Sequence, residues 1–411
     1  SIHQFNEAFM IKYLYSISIL SLIFHTTAAQ DWSSIADLPS GKHHPVTFAI
    51  DGVGYSATGW DASEGPSRDF YKYDPAADEW SIMPQFSGAP RSFAIGYAYE
   101  GKGYVGFGAT VTAYLGDIWE FNPSNESWSF LTTCPCSPRR HPAFLMANDK
   151  IFVGLGDGAN GNLNDWWEYD MIADQWTQLP NLPGPQRHHP FQFSVNGELY
   201  AGMGHGTLAP TIYNDWYHFD QVSSTWETMD DFPGEARVAG TQFDHGDYGY
   251  VLSGDGDNHS FMQTGESWQY DPSTDDWNQF PSHPGISLWA PGSFVIGDTI
   301  YFLGGENRQT GTIQRDAWKF QLPTPEEPTG IASSASYSTV SLFPNPAKDV
   351  LHIQSSGKIT SVEIYSLSGQ LVEKSSGNAS SISVSGLNAG IYLAKVQLGN
   401  GEVSMTKWVK K

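Results

Sequence analysis

Two cysteines in 411 residues cannot hold a disulfide scaffold. No C-x-x-C pair and no H-E-x-x-H run is present, which excludes the common zinc signatures. Positive charge is scarce: 21 Lys and Arg stand against 44 Asp and Glu, a net charge of −23. Such a field repels phosphate backbones and anionic lipid, so nucleic acid is not an expected partner. Charged residues make up only 16%, too few for a solvated disordered chain. Long helices are excluded as well, because Gly (42), Pro (25) and aromatics (14%) are too frequent.

The longest apolar stretch lies at the front. Lys12, then Tyr13–Phe24, then the small residues Thr27-Ala28-Ala29 read as a secretory signal, with Met10 as the expected start. The stretch is short of the roughly 20 apolar residues that span a bilayer. Residues 1–29 are therefore expected to be a signal peptide region, with no integral membrane span in the mature chain. No Cys follows the small residues, so a lipoprotein is not indicated.

What the chain has in abundance is repetition. Trp32, Trp80, Trp128, Trp176, Trp226 and Trp277 stand 48, 48, 48, 50 and 51 residues apart. Each of the five from Trp80 on follows an acidic-aromatic run, for example Asp69-Phe70-Tyr71-Lys72-Tyr73-Asp74 and Asp165-Trp166-Trp167-Glu168-Tyr169-Asp170. Upstream of each run an apolar stretch ends in glycine: Tyr55–Gly59, Tyr104–Gly108, Phe152–Gly156, Tyr200–Gly204, Tyr250–Gly254, Tyr301–Gly305. Short strands between Gly, Pro and Asp turns, four to a repeat, predict radially arranged β-sheets. The recurrent Trp and Tyr are expected to fill the space between sheets.

A basic residue opening the first strand, glycines ending the second, Tyr in the third and Trp in the fourth resemble kelch repeats over residues 32–322. Only Gly304-Gly305 is a true doublet, and the last copy has Leu288 where the others have Lys or Arg. The sixth copy runs into Pro323-Thr324-Pro325 without a fourth strand, while Asp31-Trp32-Ser33-Ser34-Ile35 is an orphan strand of that type. The expectation is an all-β chain: a six-bladed kelch-type β-propeller over 30–322, closed by the N-terminal strand, followed by a small C-terminal β-sandwich. Such a clasp removes the exposed edges of an open ring.

Residues 323–340 are rich in Pro, Ser, Thr and Glu and read as a linker. Alternation returns over 341–411, as in Val350-Leu351-His352-Ile353 and Ile391-Tyr392-Leu393-Ala394-Lys395-Val396. Seven Lys and four acidic groups give this tail a charge of +3, so the acidity belongs to the repeats. The tail resembles the type A sorting domain of the type IX secretion system of Bacteroidota. The residues that carry the resemblance include Pro344, Asn345, Pro346, Asp349, Gly369, Gly390, Lys410 and Lys411. The resemblance implies a type IX translocon and a sortase as partners, and a secreted, extracellular or outer-membrane surface location.

Functional residues are sought where the repeats align. Thirteen residues before the aromatic of the second strand stand Lys42, Arg91, Arg139, Arg187, Arg237 and Leu288. These cations are expected to pair with acidic groups inside the repeats. Eleven before it stand His44, Phe93, His141, His189, Ala239 and Ala290, on the same strand face by two-residue alternation. Five after it stand Trp60, Ala109, Asp157, His205, Asp255 and Glu306. With Arg140, His188 and Trp289 nearby, these sets are expected to form one polar mouth. The candidate ligand-binding residues are thus His44, Trp60, His141, Asp157, His189, His205, Asp255, Trp289 and Glu306.

Carboxylates and exposed indoles suit a sugar, so the expected function is noncatalytic binding of a glycan or protein. The alternatives are a carbohydrate-active enzyme on the same scaffold, such as an isomerase resembling sialate epimerase or a hydrolase, and a structural adhesin domain. No metal is expected at the histidines, because copies one, three and four are separated around a ring and ligands must lie about 2 Å from one ion. Asp255-Gly256-Asp257-Asn258 is rich in oxygen but lacks the spacing of a Ca²⁺ loop, and a polar turn is expected there. Cys134 and Cys136 are two residues apart, for which free thiols or a labile bond are expected.

Overall fold

In the computed structural model the described residues are 31–207, 211–256, 259–322, 340–355, 357–366, 370–377, 380–399 and 403–411. The signal region, the linker up to residue 339, Asp257, Asn258 and Gly369 lie outside them. The chain divides between Pro325 and Glu326 into two compact units. Among the described residues all regular elements are strands apart from a helical turn at His259, and no helix is long and apolar enough to cross a membrane.

Among the described residues of the first unit, six antiparallel sheets are built to one plan. In the first, Val46–Ile50, Val53–Ala57, Phe70–Asp74 and Glu79–Ile82 follow one another by hairpins. The innermost strands of the others are Ile95–Tyr99, Ala143–Ala147, Phe191–Val195, Thr241–His245 and Gly292–Ile296. Each inner strand packs beside the next, and Gly292–Ile296 packs beside Val46–Ile50. The sixth sheet takes its outer strand from the front of the chain: Ser33–Ile35 pairs antiparallel with Ala317–Gln321.

Aromatic residues fill each gap between neighbouring sheets. Phe70 meets Phe121 and Trp128, Tyr104 lies with Phe144, and Trp166 with Phe219. Phe193 and Trp216 meet Tyr270, Leu252 packs in one cluster with Phe302, and Tyr73 meets Phe294 and Tyr301. The repeated Trp of the outer strand also ties sheets by hydrogen bond. Trp32 Nε1 donates to the Pro281 carbonyl at 3.0 Å, Trp80 to Ala36 at 3.0 Å and Trp226 to Pro180 at 2.9 Å.

The expected basic series is buried inside the sheets. Arg91, Arg139, Arg187 and Arg237 are each 0% exposed and Lys42 is 1% exposed. Arg139 donates from both terminal nitrogens to Asp165 at 2.5 and 2.8 Å, from Nη1 also to the Leu155 carbonyl and from Nε to that of Ser137. Arg91 grips Asp117 and the Phe107 carbonyl in the same way; Arg187 uses Asp215 and Arg237 uses Glu266. Lys42 contacts Asp61 at 3.0 Å and Asp69 at 2.6 Å. A planar fork with four of its five N–H donors engaged, two of them on a carboxylate, is how the buried Arg139 guanidinium is tolerated.

Backbone bonds then stitch repeat to repeat. The N–H groups of Gly59, Gly108, Gly156 and Gly254 donate to the carbonyls of Arg91, Arg139, Arg187 and Leu288, each in the following repeat, and Gly305 donates to Lys42 at 2.7 Å. Gly108 shows why glycine is needed: its φ is +87° and an added Cβ would stand 2.5 Å from the Ser92 carbonyl oxygen. Cys134 and Cys136 form a disulfide rather than free thiols, since the turn brings their Cα atoms to 5.1 Å.

In the second unit a three-stranded sheet (Val340–Phe343, Val350–Ser355, Ser381–Ser383) and a four-stranded one (Ile359–Ser366, Leu371–Ser376, Gly390–Leu398, Val403–Lys410) share one core around Leu351, Val362, Val396 and the wholly buried Trp408. The last strand is fastened to the Asn345 turn: Asn345 Oδ1 accepts from Val409 N–H at 2.8 Å, and Ala347 exchanges backbone bonds with Val409 and Lys411.

Trp32→Ala removes an indole that packs on Phe320 with ring centres 5.2 Å apart and that bonds Pro281. The expected loss is about 2 kcal/mol or more, read by urea denaturation, as for other large-to-small changes at packed aromatics. An unchanged midpoint would mean that the leading strand contributes nothing.

Candidate functional site

The inner strands do not start as uninterrupted strands. A two-residue strand such as Lys42–His43 is followed by His44 and Pro45 before Val46–Ile50 begins. At this point His44, Phe93, His141, His189, Ala239 and Ala290 all take left-handed backbone, with φ between 50° and 59°. This breaks the two-residue alternation. The basic residues and the histidines therefore do not share a face: the cations turn into their sheets, while His44, His141 and His189 line an inner cavity of about 70 Å³. The six left-handed residues also bond one another. His44 N–H donates to the Ala290 carbonyl at 2.8 Å, Ala290 to Ala239, His141 to Phe93 at 3.0 Å and His189 to His141 at 3.2 Å.

That arrangement corrects the expected separation of the three histidines. Their ligand-type ring nitrogens all lie within 4.8 Å of one another. His44 Nε2 is 2.9 Å from His189 Nε2, and the His141 and His189 rings stack with centres 3.5 Å apart. Burial, reinforced by the neighbouring imidazoles, holds all three well below the usual histidine pKa, so they are neutral near pH 7.

Around this centre the other expected residues form one contiguous face. Trp289 lies edge-on to His44 at 4.6 Å, and its backbone pairs with Glu306. His188 Nε2 is 3.4 Å from His205 Nδ1. Asp157 accepts from Arg140 Nε at 2.8 Å and from the Tyr114 hydroxyl at 3.3 Å. Trp60 stacks on His43 with an interplanar angle of 8°. Asp255 differs from expectation, because it is wholly buried and cannot meet a ligand at the surface. Among the described residues its carboxylate oxygens have no hydrogen-bond partner, and Arg308 Nε stands 3.8 Å away.

Several members of the face escape the repeat alignment. His43 bonds His44 with Nδ1 atoms 2.7 Å apart, but it stands one residue off the aligned position. Arg308 lies 4.9 Å over the Trp289 ring and comes from a turn of irregular length. His259 packs 4.3 Å from His205. Tyr114 and Phe93 flank Arg140 at 5.4 and 5.6 Å. Together Trp60, Phe93, Tyr114, Arg140 and Asn160 line an open groove of about 740 Å³.

Burial pushes Asp255 up from 3.8 to about 6, Arg308 opposing and Glu306 reinforcing the shift. The folded state holds this proton more firmly than the unfolded state does. Stability from the group is therefore present below about pH 4 and is lost as pH rises through about 6. Asp255→Asn is expected to raise the melting temperature at pH 7.5 and to leave it nearly unchanged at pH 4. Equal shifts at both pH values, measured by thermal denaturation, would contradict the assignment.

The described structure is similar to a solved structure titled "Structure of YjhT", a β-propeller, with a TM-score of 0.58 and 14% identity over 69% of this chain and 95% of that one. At that identity the likeness speaks to fold alone. No curated protein matches the chain. Residues 341–411 match the family described as "Secretion system C-terminal sorting domain". The tail is thus a type IX sorting domain that engages the secretion machinery, and the protein is a secreted protein of the cell surface or the extracellular space.

Proposed function

We propose that residues 30–322 form a six-bladed kelch-type propeller, closed by the N-terminal strand, that binds a glycan without catalysis at the cell surface or outside the cell. In this reading 323–340 is a linker, and a sortase removes 341–411 after export. Six sheets of one plan, six aromatic interfaces that lead back to the first, and the pairing of Ser33–Ile35 with Ala317–Gln321 support the closed ring.

The groove carries the binding reading. Sugars present C–H faces that stack on aromatic rings, and hydroxyls that need planar donors and acceptors. Trp60, Phe93 and Tyr114 supply rings, while Arg140, Asp157 and Asn160 supply planar polar groups beside them. The site is open, as an oligosaccharide chain requires, and its polar groups are pre-positioned by one another.

A glycan array on the purified protein is expected to return a defined set of oligosaccharides. Trp60→Ala and Arg140→Ala should each weaken the best of these about tenfold or more, about 1.4 kcal/mol, with the fold retained by circular dichroism. An empty array, or wild-type affinity in both variants, would discard the groove. Separately, a chain lacking 341–411 is expected to stay behind the outer membrane of a type IX-competent host. Its appearance in the medium at the full-length level, by fractionation and blotting, would contradict the role of the tail.

A further inference from the structure

We infer that His44, His141 and His189 form a mononuclear site for a divalent first-row transition ion, Zn²⁺ or Cu²⁺. The first support is the donor set. Three imidazoles with no carboxylate among them suit a borderline ion and not Ca²⁺ or Mg²⁺. The second is spacing. Donors about 2.0–2.1 Å from a tetrahedral ion stand about 3.3 Å apart. The His44–His189 pair at 2.9 Å opens slightly, and no pair exceeds 4.8 Å, so small ring rotations reach that geometry.

The third support is an unmet need. Among the described residues, both ring nitrogens of His141 are shut off from solvent and have no hydrogen-bond partner, and neither has His189 Nδ1. A buried polar atom without a partner is costly, and a bound ion satisfies His141 directly. The site is also supported from behind. The Nδ1 atoms of His43 and His44 lie 2.7 Å apart; with His44 Nδ1–H as the donor, its Nε2 lone pair is left for the ion, the outer-sphere arrangement common to metal-bound imidazoles. An ion at His189 Nε2 requires the tautomer with the proton on Nδ1. The cavity of about 70 Å³ that the three histidines line has room for a water as fourth ligand, and Gln192 and Gln242 also line it.

The test titrates chelator-treated protein with ZnCl₂ by calorimetry and with CuSO₄ under electron paramagnetic resonance. The expected result is one ion per chain and a copper spectrum split by three nitrogens. His141→Ala is expected to weaken binding about 100-fold or more by removing one of three donors, whereas His245→Ala, a histidine outside the cluster, should leave it unchanged. If His141→Ala fails to fold, His189→Asn is read in its place. A copper spectrum with fewer than three nitrogens, or wild-type affinity in the histidine variants, would overturn the site. The wild-type spectrum alone is sufficient to reject it.

Discussion

A cation with no access to water must be paired, and in five of the six sheets that requirement organises the repeat. Arg139 shows the logic. Its guanidinium joins the Asp165 carboxylate at the start of the third strand, the Leu155 carbonyl at the end of the second and the Ser137 carbonyl just before the first. One side chain thereby sets the spacing of three segments. A buried ion pair need not add net stability over a well-packed apolar substitute, but removing one partner leaves a charge stranded in the interior. The sixth sheet has Leu288 at this position. In that sheet Leu38 N–H bonds the Arg315 carbonyl, as Phe86 bonds Arg68 and Leu182 bonds Asn164 elsewhere, and Arg315 Nε donates back to the Leu38 carbonyl.

The same pairs determine what reaches the centre. With the basic residue fixed in its sheet, the chain takes a left-handed residue before the inner strand begins, and in four of the six repeats a proline follows it. The left-handed residues bond along the series, so their side chains are drawn into a small space. Phe93, Ala239 and Ala290 bring apolar groups, and His44, His141 and His189 bring imidazoles. The proposed ligand and ion sites draw on the three repeats that depart from the apolar choice, and on the turns that carry Trp60, Asp157, His205 and Glu306.

Much of this is legible in the sequence. The tryptophan spacing, the orphan strand around Trp32 and the acidic-aromatic runs foretell six similar sheets and the pairing of the front with residues 317–321. The basic series and its acidic partners are also legible, because buried arginine has few alternatives. Two features are not. Alternation assumes an unbroken strand, and no propensity marks His44 or His141 as left-handed, so alternation puts the histidines on the wrong face, while their places in separate repeats put them too far apart. Asp255 aligns with the half-buried Trp60, Asp157, His205 and Glu306 of other repeats, yet it is wholly buried with Arg308 Nε at 3.8 Å, and turns of unequal length do not follow the repeat. The tail is the most legible part, since its blocks lie in order within one fold.

The central claim is that the buried cation–carboxylate pair holds each repeat in register. A double-mutant cycle on Arg139 and Asp165, using Arg139→Met and Asp165→Asn and reading unfolding free energy in urea, measures it directly. Mutual dependence predicts a coupling energy of about 2 kcal/mol or more, with each single change costing about 3 kcal/mol. A coupling within about 0.5 kcal/mol of zero, with the two losses simply adding, would contradict the account.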